Sequence, residues 1–287
     1  MNGLGQGNTD CFISLSLLLL QLVQMFCHSS MDLNQDQHTT EGYRPISLLN
    51  TMSKIIEKMV NNRLIWYLEK HNLLSPHQHG FRKNRSTNDI LVSLHTDIAD
   101  ALVNKQNIIL VSLDLKKAYD TVWRHRVLKI IQKLNIHGNM LKFINNHIRE
   151  RTFQVKIKST LSDPFANENG VVQGSSISVT LFLIAINEMT TQVPPPTMIK
   201  LFADDALIYC KGKNVSSIKN QLQLTLDKLS KWSLETGFSF SPNKTKCILF
   251  THQRKIVKPN IQFENKTLDY SDNVKILGLI FDKKLNW

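Results

Sequence analysis

Ile199-Lys-Leu-Phe-Ala-Asp204-Asp205-Ala-Leu-Ile-Tyr209 sets two adjacent carboxylates between two apolar runs. Both runs are short, apolar and partly aromatic, and both read as strands. A tight turn between them presents the two carboxylates at its tip. Side by side, two acids repel and raise each other's pKa, and a divalent cation removes that cost. Hard oxygen ligands suit Mg²⁺ or Mn²⁺, which keep waters and substrate phosphates as their remaining ligands. Paired acids are also common as plain turn or capping residues, so the surrounding chain has to decide between the two readings.

A third carboxylate stands at Asp114, at the end of the apolar run Asn107 to Asp114, which reads as a buried strand. Three such acids can clamp two cations about 4 Å apart, one activating a hydroxyl and one neutralising displaced phosphates. That is the chemistry of in-line nucleotidyl transfer.

The rest of the chain reads as one mixed α/β (α+β) domain from residue 42 to residue 287. Met52, Ile55, Ile56, Met59, Leu64 and Leu68 recur at helical spacing. Ser86 with Asp89 forms a capping-box pattern before the stripe Ile90, Leu91, Leu94, Ile98 and Leu102. Helices are expected near 122–134, 140–150 and 175–189, and Thr152 to Lys158 alternates like an exposed strand. Ile218, Leu222, Leu226 and Leu229 mark a last amphipathic helix, with Gly237 after it. Cys247 to Phe250 and Val274 to Phe281 read as closing strands.

Composition narrows the partners. Among 287 residues, 35 Lys and Arg against 23 Asp and Glu leave a net charge of +12, which points to a polyanion or to a solvated basic surface. The four cysteines, Cys11, Cys27, Cys210 and Cys247, lack zinc spacing and fit a reducing compartment. His77 and His79 read as non-ligating loop residues. Residues 1–41 read as an N-terminal extension. Its run from 11 to 27 is apolar and a polar linker follows. No Lys or Arg precedes that run, Asp10 abuts it, and Gln21 and Gln24 interrupt it. The expectation is an intracellular protein of nucleus or cytoplasm without stable membrane association. A signal or membrane segment is the minority reading of that run.

Three stretches occur in order: Asp114-Leu-Lys-Lys-Ala-Tyr119-Asp120, Gly170-Val-Val-Gln173-Gly174-Ser175 and Phe202-Ala-Asp204-Asp205. They resemble successive palm motifs of reverse transcriptases. Tyr43-Arg-Pro-Ile-Ser-Leu-Leu49 and Gln78-His-Gly-Phe-Arg82-Lys-Asn-Arg85-Ser-Thr87 are similar to the fingers motifs of non-LTR retrotransposon reverse transcriptases, particularly the jockey-like group of insects. Asn243-Lys244-Thr245-Lys246 and Ile276-Leu-Gly-Leu-Ile-Phe-Asp282 resemble that family's last palm motifs.

The resemblance implies a fingers-palm fold with an antiparallel palm sheet packed on helices. It implies an RNA-directed DNA polymerase that extends a DNA primer on an RNA template with dNTPs, using two Mg²⁺ or Mn²⁺ ions. By position it makes Asp114, Asp204 and Asp205 the metal-binding triad and Tyr119 a steric gate against the ribose 2′-OH, a role compatible with core packing. Gln173 and Gly174 become nucleotide-pocket residues. Arg82 becomes a triphosphate contact, with a backbone-phosphate contact or a solvated charge as the other readings. Lys244 becomes the proton donor to departing pyrophosphate, or a solvated surface charge.

The chain departs from the family at Val172, where Pro is usual, and at Ser178-Val-Thr-Leu-Phe-Leu183, where Ser-Pro-Leu-Leu-Phe-Asn is usual. The family's thumb would begin where the sequence stops, so a thumbless domain is expected. The alternative is a catalytically weak retroelement fragment that only binds nucleic acid.

Overall fold

Strand Asn107–Leu113 pairs antiparallel on both sides, and the catalytic candidates hang from that arrangement. The computed structural model describes residues 24–28, 44–149, 151–157, 160–253 and 257–285. Its contacts sort into two compact units interleaved along the chain. The first comprises residues through Leu73 plus Tyr119–Ala185, and the second Leu74–Ala118 plus Ile186 onward.

In the first unit, β1 (Gln24–His28) pairs antiparallel with β2 (Arg44–Leu48), and α1 spans Thr51–Lys70. In the second, α2 (Thr87–Val103) precedes β3 (Asn107–Leu113). The chain then returns to the first unit for α3 (Arg124–Lys133), α4 (Gly138–Ile148), β4 (Arg151–Ile157), β5 (Thr160–Leu161), β6 (Phe165–Asn167) and α5 (Ser176–Ile186). A 3₁₀ turn, Asn187–Gln192, leads into β7 (Met198–Phe202), β8 (Asp205–Gly212) and α6 (Val215–Thr236) of the second unit. That unit also holds β9 (Lys246–Phe250) and the short hairpins β10–β11 (Gln262–Phe263, Lys266–Thr267) and β12–β13 (Asn273–Ile276, Leu279–Asp282).

The second unit's sheet has the order β7-β8-β3-β9. Side chains alternate across a strand, so β3 feeds two cores. Ile108 and Leu110 pack with Ile90, Leu94 and Ile98 of α2. On the other side α6 packs along β8 and β3, burying Leu222, Leu226 and Leu229 completely. Each fully buried leucine contributes about 1.5–3 kcal/mol. Burial on both faces explains why β3 reads as a continuous apolar run. The helix boundaries follow local chemistry. Ser86 and Asp89 form the reciprocal capping box of α2, the Asn214 side chain caps α6, and Gly237 ends α6 at φ 80°.

The first unit departs from the sequence reading in two places. Residues 24–28, assigned above to the extension, form a strand between β2 and β4, parallel to β4. The remainder of the 11–27 run lies outside the described residues. The second departure is in α1, whose first half turns the expected stripe outward. Met52, Ile55 and Met59 are exposed, Met59 by 65%, whereas Ser53, Glu57 and Asn61 are buried. The physical reason is a polar partner set inside. The buried Ser175 hydroxyl donates to Glu57 Oε2 at 2.7 Å, and His147 Nδ1 lies 3.6 Å from Glu57 Oε1. A buried carboxylate requires such partners, and this requirement outranks the apolar spacing. Leu64 and Leu68 point inward as expected. Helix α5 is apolar all round and buried as expected, with Val and Leu at the positions where the family carries Pro and Asn. Among the described residues no helix is long and apolar enough to cross a membrane.

Candidate active site

In the second unit, the acid pair sits where the hairpin turns. Phe202 pairs with Asp205, leaving Ala203 and Asp204 as the two turn residues. Asp204 lies in the turn and Asp205 opens β8. Leu113 pairs with Ala206, so Asp114, one residue on, comes level with Asp205 on the neighbouring strand. The main chain of Asp114 is fixed from its other side, because its carbonyl accepts the Ser241 N–H at 2.8 Å.

The charges register this proximity. Burial pushes the Asp205 carboxyl up to about 6, and the charges of Asp204 and then Asp114 push in the same direction. Although the Asp205 side chain is exposed, the apolar strand end beneath it still strips away part of its hydration. Lys244 follows the Ser241 turn and brings Nζ within 3.9 Å of Asp114 Oδ2. Its charge therefore belongs to the acid cluster. Among the described residues no three acidic, histidine or cysteine side chains are gathered into a cage for an ion. An ion at these acids would need phosphate and water oxygens to complete its ligands, as Mg²⁺ usually does. The residues present fit such an ion: hard oxygen donors, clustered like charge and an elevated carboxyl pKa.

Ala203 occupies the left-handed region at φ 56°. A non-glycine residue there costs about 1–2 kcal/mol, so the turn needs outside support. The loop before α2 supplies it. His79 N–H donates to Leu201 O at 2.8 Å, and Leu201 N–H donates to His77 O at 2.9 Å. The His77 and His79 imidazoles are held below their usual range, mainly by burial and also by nearby cations. Arg82 Nη1 donates to the carbonyls of Ser75, at 2.6 Å, and Gln78, at 3.2 Å. Arg85 Nη1 bonds Pro76 O and Gln78 O. In this structure both guanidinium groups stiffen their own loop.

The first unit gathers the other sequence candidates. Tyr119 stacks on Phe182 of α5, ring centroids 4.7 Å apart. Gln173 Nε2 donates to Asp120 Oδ1 at 3.2 Å, and Gln173 O accepts from Ser47 N–H at 3.0 Å. Gly174 has φ 104° and lies against Ser47 O, so a side chain there meets both strain and backbone. Buried Arg124 donates from Nε to Gly170 O at 2.9 Å. Ser175 anchors the end of this loop through Glu57 and His147. The structure thus brings Tyr119, Gln173 and Gly174 together in one unit, and Asp114, Asp204, Asp205 and Lys244 in the other.

Sequence reasoning missed Gln78, Arg124 and the Glu57–His147–Ser175 cluster as supports. The signal for Gln78 was its place two residues before Gly80. No local signal marked Glu57, whose partners Ser175 and His147 lie far along the chain.

A sheet whose interior strand ends in one acid beside a hairpin bearing two more, with helices against it, is the arrangement the palm resemblance leads one to expect. The chain belongs to the reverse transcriptase (RNA-dependent DNA polymerase) family, whose sequence pattern matches residues 34–281. It is 27% identical over 263 residues to a probable RNA-directed DNA polymerase from transposon BS of Drosophila melanogaster, covering 88% of this chain and 28% of that protein. It is 26% identical over 253 residues to the RNA-directed DNA polymerase from mobile element jockey of the same species, covering 86% and 27%. The chain therefore spans about a quarter of the length of the curated relatives it matches. Among solved structures, apo telomerase from Candida tropicalis truncated from its C-terminal domain superposes with a TM-score of 0.59 at 15% identity, covering 85% of this chain and 52% of that one. That likeness shows the shared fingers-palm fold.

Proposed function

We propose that this chain adds deoxynucleotides to a DNA primer 3′-OH on an RNA template, in the manner of a non-LTR retrotransposon polymerase. The observation that carries the reading is the register that sets Asp114 level with Asp205, beside Asp204. In the reaction the primer 3′-oxygen bonds to the α-phosphorus of a dNTP. The bond from that phosphorus to its bridging oxygen breaks, pyrophosphate leaves, and the hydroxyl proton is lost to solvent.

Asp114, Asp204 and Asp205 are the residues that would hold two Mg²⁺ or Mn²⁺ ions. Such ions, when bound, lower the pKa of the attacking hydroxyl and neutralise the phosphate oxygens. Lys244, its Nζ 3.9 Å from Asp114 Oδ2, is the proposed proton donor to pyrophosphate. Tyr119, its ring fixed by Phe182, is the proposed gate against a 2′-OH. Gln173 and Gly174, their main chain fixed by Ser47, are the proposed nucleotide contacts. Arg82 is the proposed triphosphate contact, from a loop that its own bonds stiffen. The net +12 charge favours phosphate contacts with little base reading, which suits an enzyme that accepts any template sequence. Nucleus or cytoplasm is the proposed compartment.

Primer extension on an RNA template tests the reading. Asp114→Ala, Asp204→Ala and Asp205→Ala should each lower the rate by about 10²–10³-fold. Activity that survives any one of them sinks the assigned mechanism. Tyr119→Ala should admit ribonucleotides, and unchanged discrimination would remove the gate role.

A further inference from the structure

Gln78 is a polar side chain with only 1% of its surface exposed, and its amide is aimed at the acid-bearing turn. Its Oε1 accepts the Ala203 N–H at 3.0 Å and the Gly80 N–H at 2.8 Å. Its Nε2 donates to the Ala203 carbonyl at 3.2 Å. The orientation is fixed by the partners, since a flipped amide would face its NH₂ toward two N–H donors. One side chain therefore bonds both main-chain groups of the residue held at positive φ. Gly80 makes the approach possible, because a Cβ there would collide with the Ala203 backbone nitrogen. The Gln78 main chain is itself bridged to Leu201, the residue two before Ala203.

We propose that Gln78, seated by Gly80, is a positioning residue for Asp204 and Asp205, fixing the turn in the conformation that presents both carboxylates to a divalent cation. This rests on the polymerase reading above and adds to it a residue outside the acid cluster. Strained turns persist only where the surroundings over-determine them, and here the Gln78 amide acts on Ala203 itself while the His77 and His79 main chain holds Leu201. The bonds lie on the main chain, so they hold the geometry of both acids without touching either carboxylate. Losing them should widen the range of turn conformations and weaken cation binding, with the sheet beneath left intact.

The experiment uses the full chain with Mn²⁺ as the probe. Hydrogen exchange at the Ala203 amide, Mn²⁺ binding by electron paramagnetic resonance, and thermal melting are measured for wild type, Gln78→Met, Gln78→Glu and Asp204→Ala. Gln78→Met removes all three bonds at similar volume. It should speed Ala203 exchange and weaken Mn²⁺ binding, each about tenfold, with the affinity loss present at temperatures well below a melting point that the unpaired Ala203 and Gly80 main-chain groups also lower. Gln78→Glu keeps the acceptor side but sets a buried carboxylate against the Ala203 carbonyl, so its effect on exchange should be at least as large as that of Gln78→Met. In the extension assay Gln78→Met should raise the Mg²⁺ needed for half-maximal rate and leave the KM for dNTP near wild type.

Wild-type Mn²⁺ affinity and wild-type exchange in Gln78→Met would overturn the proposal. So would losses of affinity in both Gln78 variants that merely track a fall in melting temperature. Failure of the polymerase reading looks different: the wild-type chain would bind no Mn²⁺ that Asp204→Ala removes, whatever the exchange at Ala203 shows.

Discussion

Two hairpin turns in the second unit each hold a non-glycine residue at positive φ and differ in what accompanies it. Between β12 and β13, Ile276 pairs with Leu279, and the turn residues Leu277 and Gly278 have φ 47° and 94°. That is a local solution. The second residue is glycine, and a Cβ added there would meet nothing within 4 Å. Between β7 and β8, Ala203 takes φ 56° in a buried setting, and the loop at residues 77–80 holds it from outside. The contrast teaches where conformational strain is tolerated. The β12–β13 turn puts glycine at one of its two left-handed positions and carries Leu277, packed against the core, at the other. A turn that carries two acids is instead held by a neighbour, which ties its geometry to the rest of the unit.

This contrast can be broken by mutation. The largest effect is expected for Gly80→Ala, whose new methyl group overlaps the Ala203 backbone. It should cost about 3 kcal/mol in denaturant unfolding. Next comes Gly278→Ala, which adds strain without a collision and should cost about 1 kcal/mol. Equal costs at the two glycines would erase the distinction between braced and free turns. Ala203→Gly relieves strain at the braced turn and loosens the unfolded chain, two opposing effects, so its net change should stay within about 1 kcal/mol.

The smallest effect is electrostatic. The folded Asp205 carboxyl sits near 6, above its usual value of 3.8. Between those values the folded chain holds a proton that the unfolded chain releases. With a chelator present, this group therefore favours the fold at low pH and loses that contribution as pH rises through about 6. Asp205→Asn should raise the melting temperature at neutral pH, and its difference from wild type should shrink by pH 4. A difference that stays constant with pH would remove the acid cluster as its cause. At the other face of the sheet, burial pushes the Cys247 thiol up to about 12. It should stay unreactive toward thiol reagents until the chain unfolds.

Features set by local chemistry were legible in the sequence. The capping box at Ser86 and Asp89, the apolar run of β3 and the stripe of α6 each signal themselves within a few residues. The acid-bearing hairpin was legible for the same reason, and the order of motifs suggested Asp114 as its companion. Features set by distant partners were not. The direction of α1 depends on Glu57 meeting Ser175 and His147, residues far along the chain. The parallel pairing of β1 with β4 leaves no local mark either. Gln78 was visible inside a motif, but its task depends on a turn 125 residues away.

The pairing of β3 also bears on how the protein is made. This strand leaves the ribosome long before β8 and β9, its neighbours on either side. Leu113 precedes Phe250 by 137 residues (250 − 113), a wait of about 7 to 27 seconds at ordinary translation rates. Until β8 emerges the most apolar strand of the sheet has two open edges, and until β9 emerges it has one, each able to pair with a foreign strand. The Asp114 cluster forms late in synthesis, so a helper that shields nascent chains should raise the yield of folded protein.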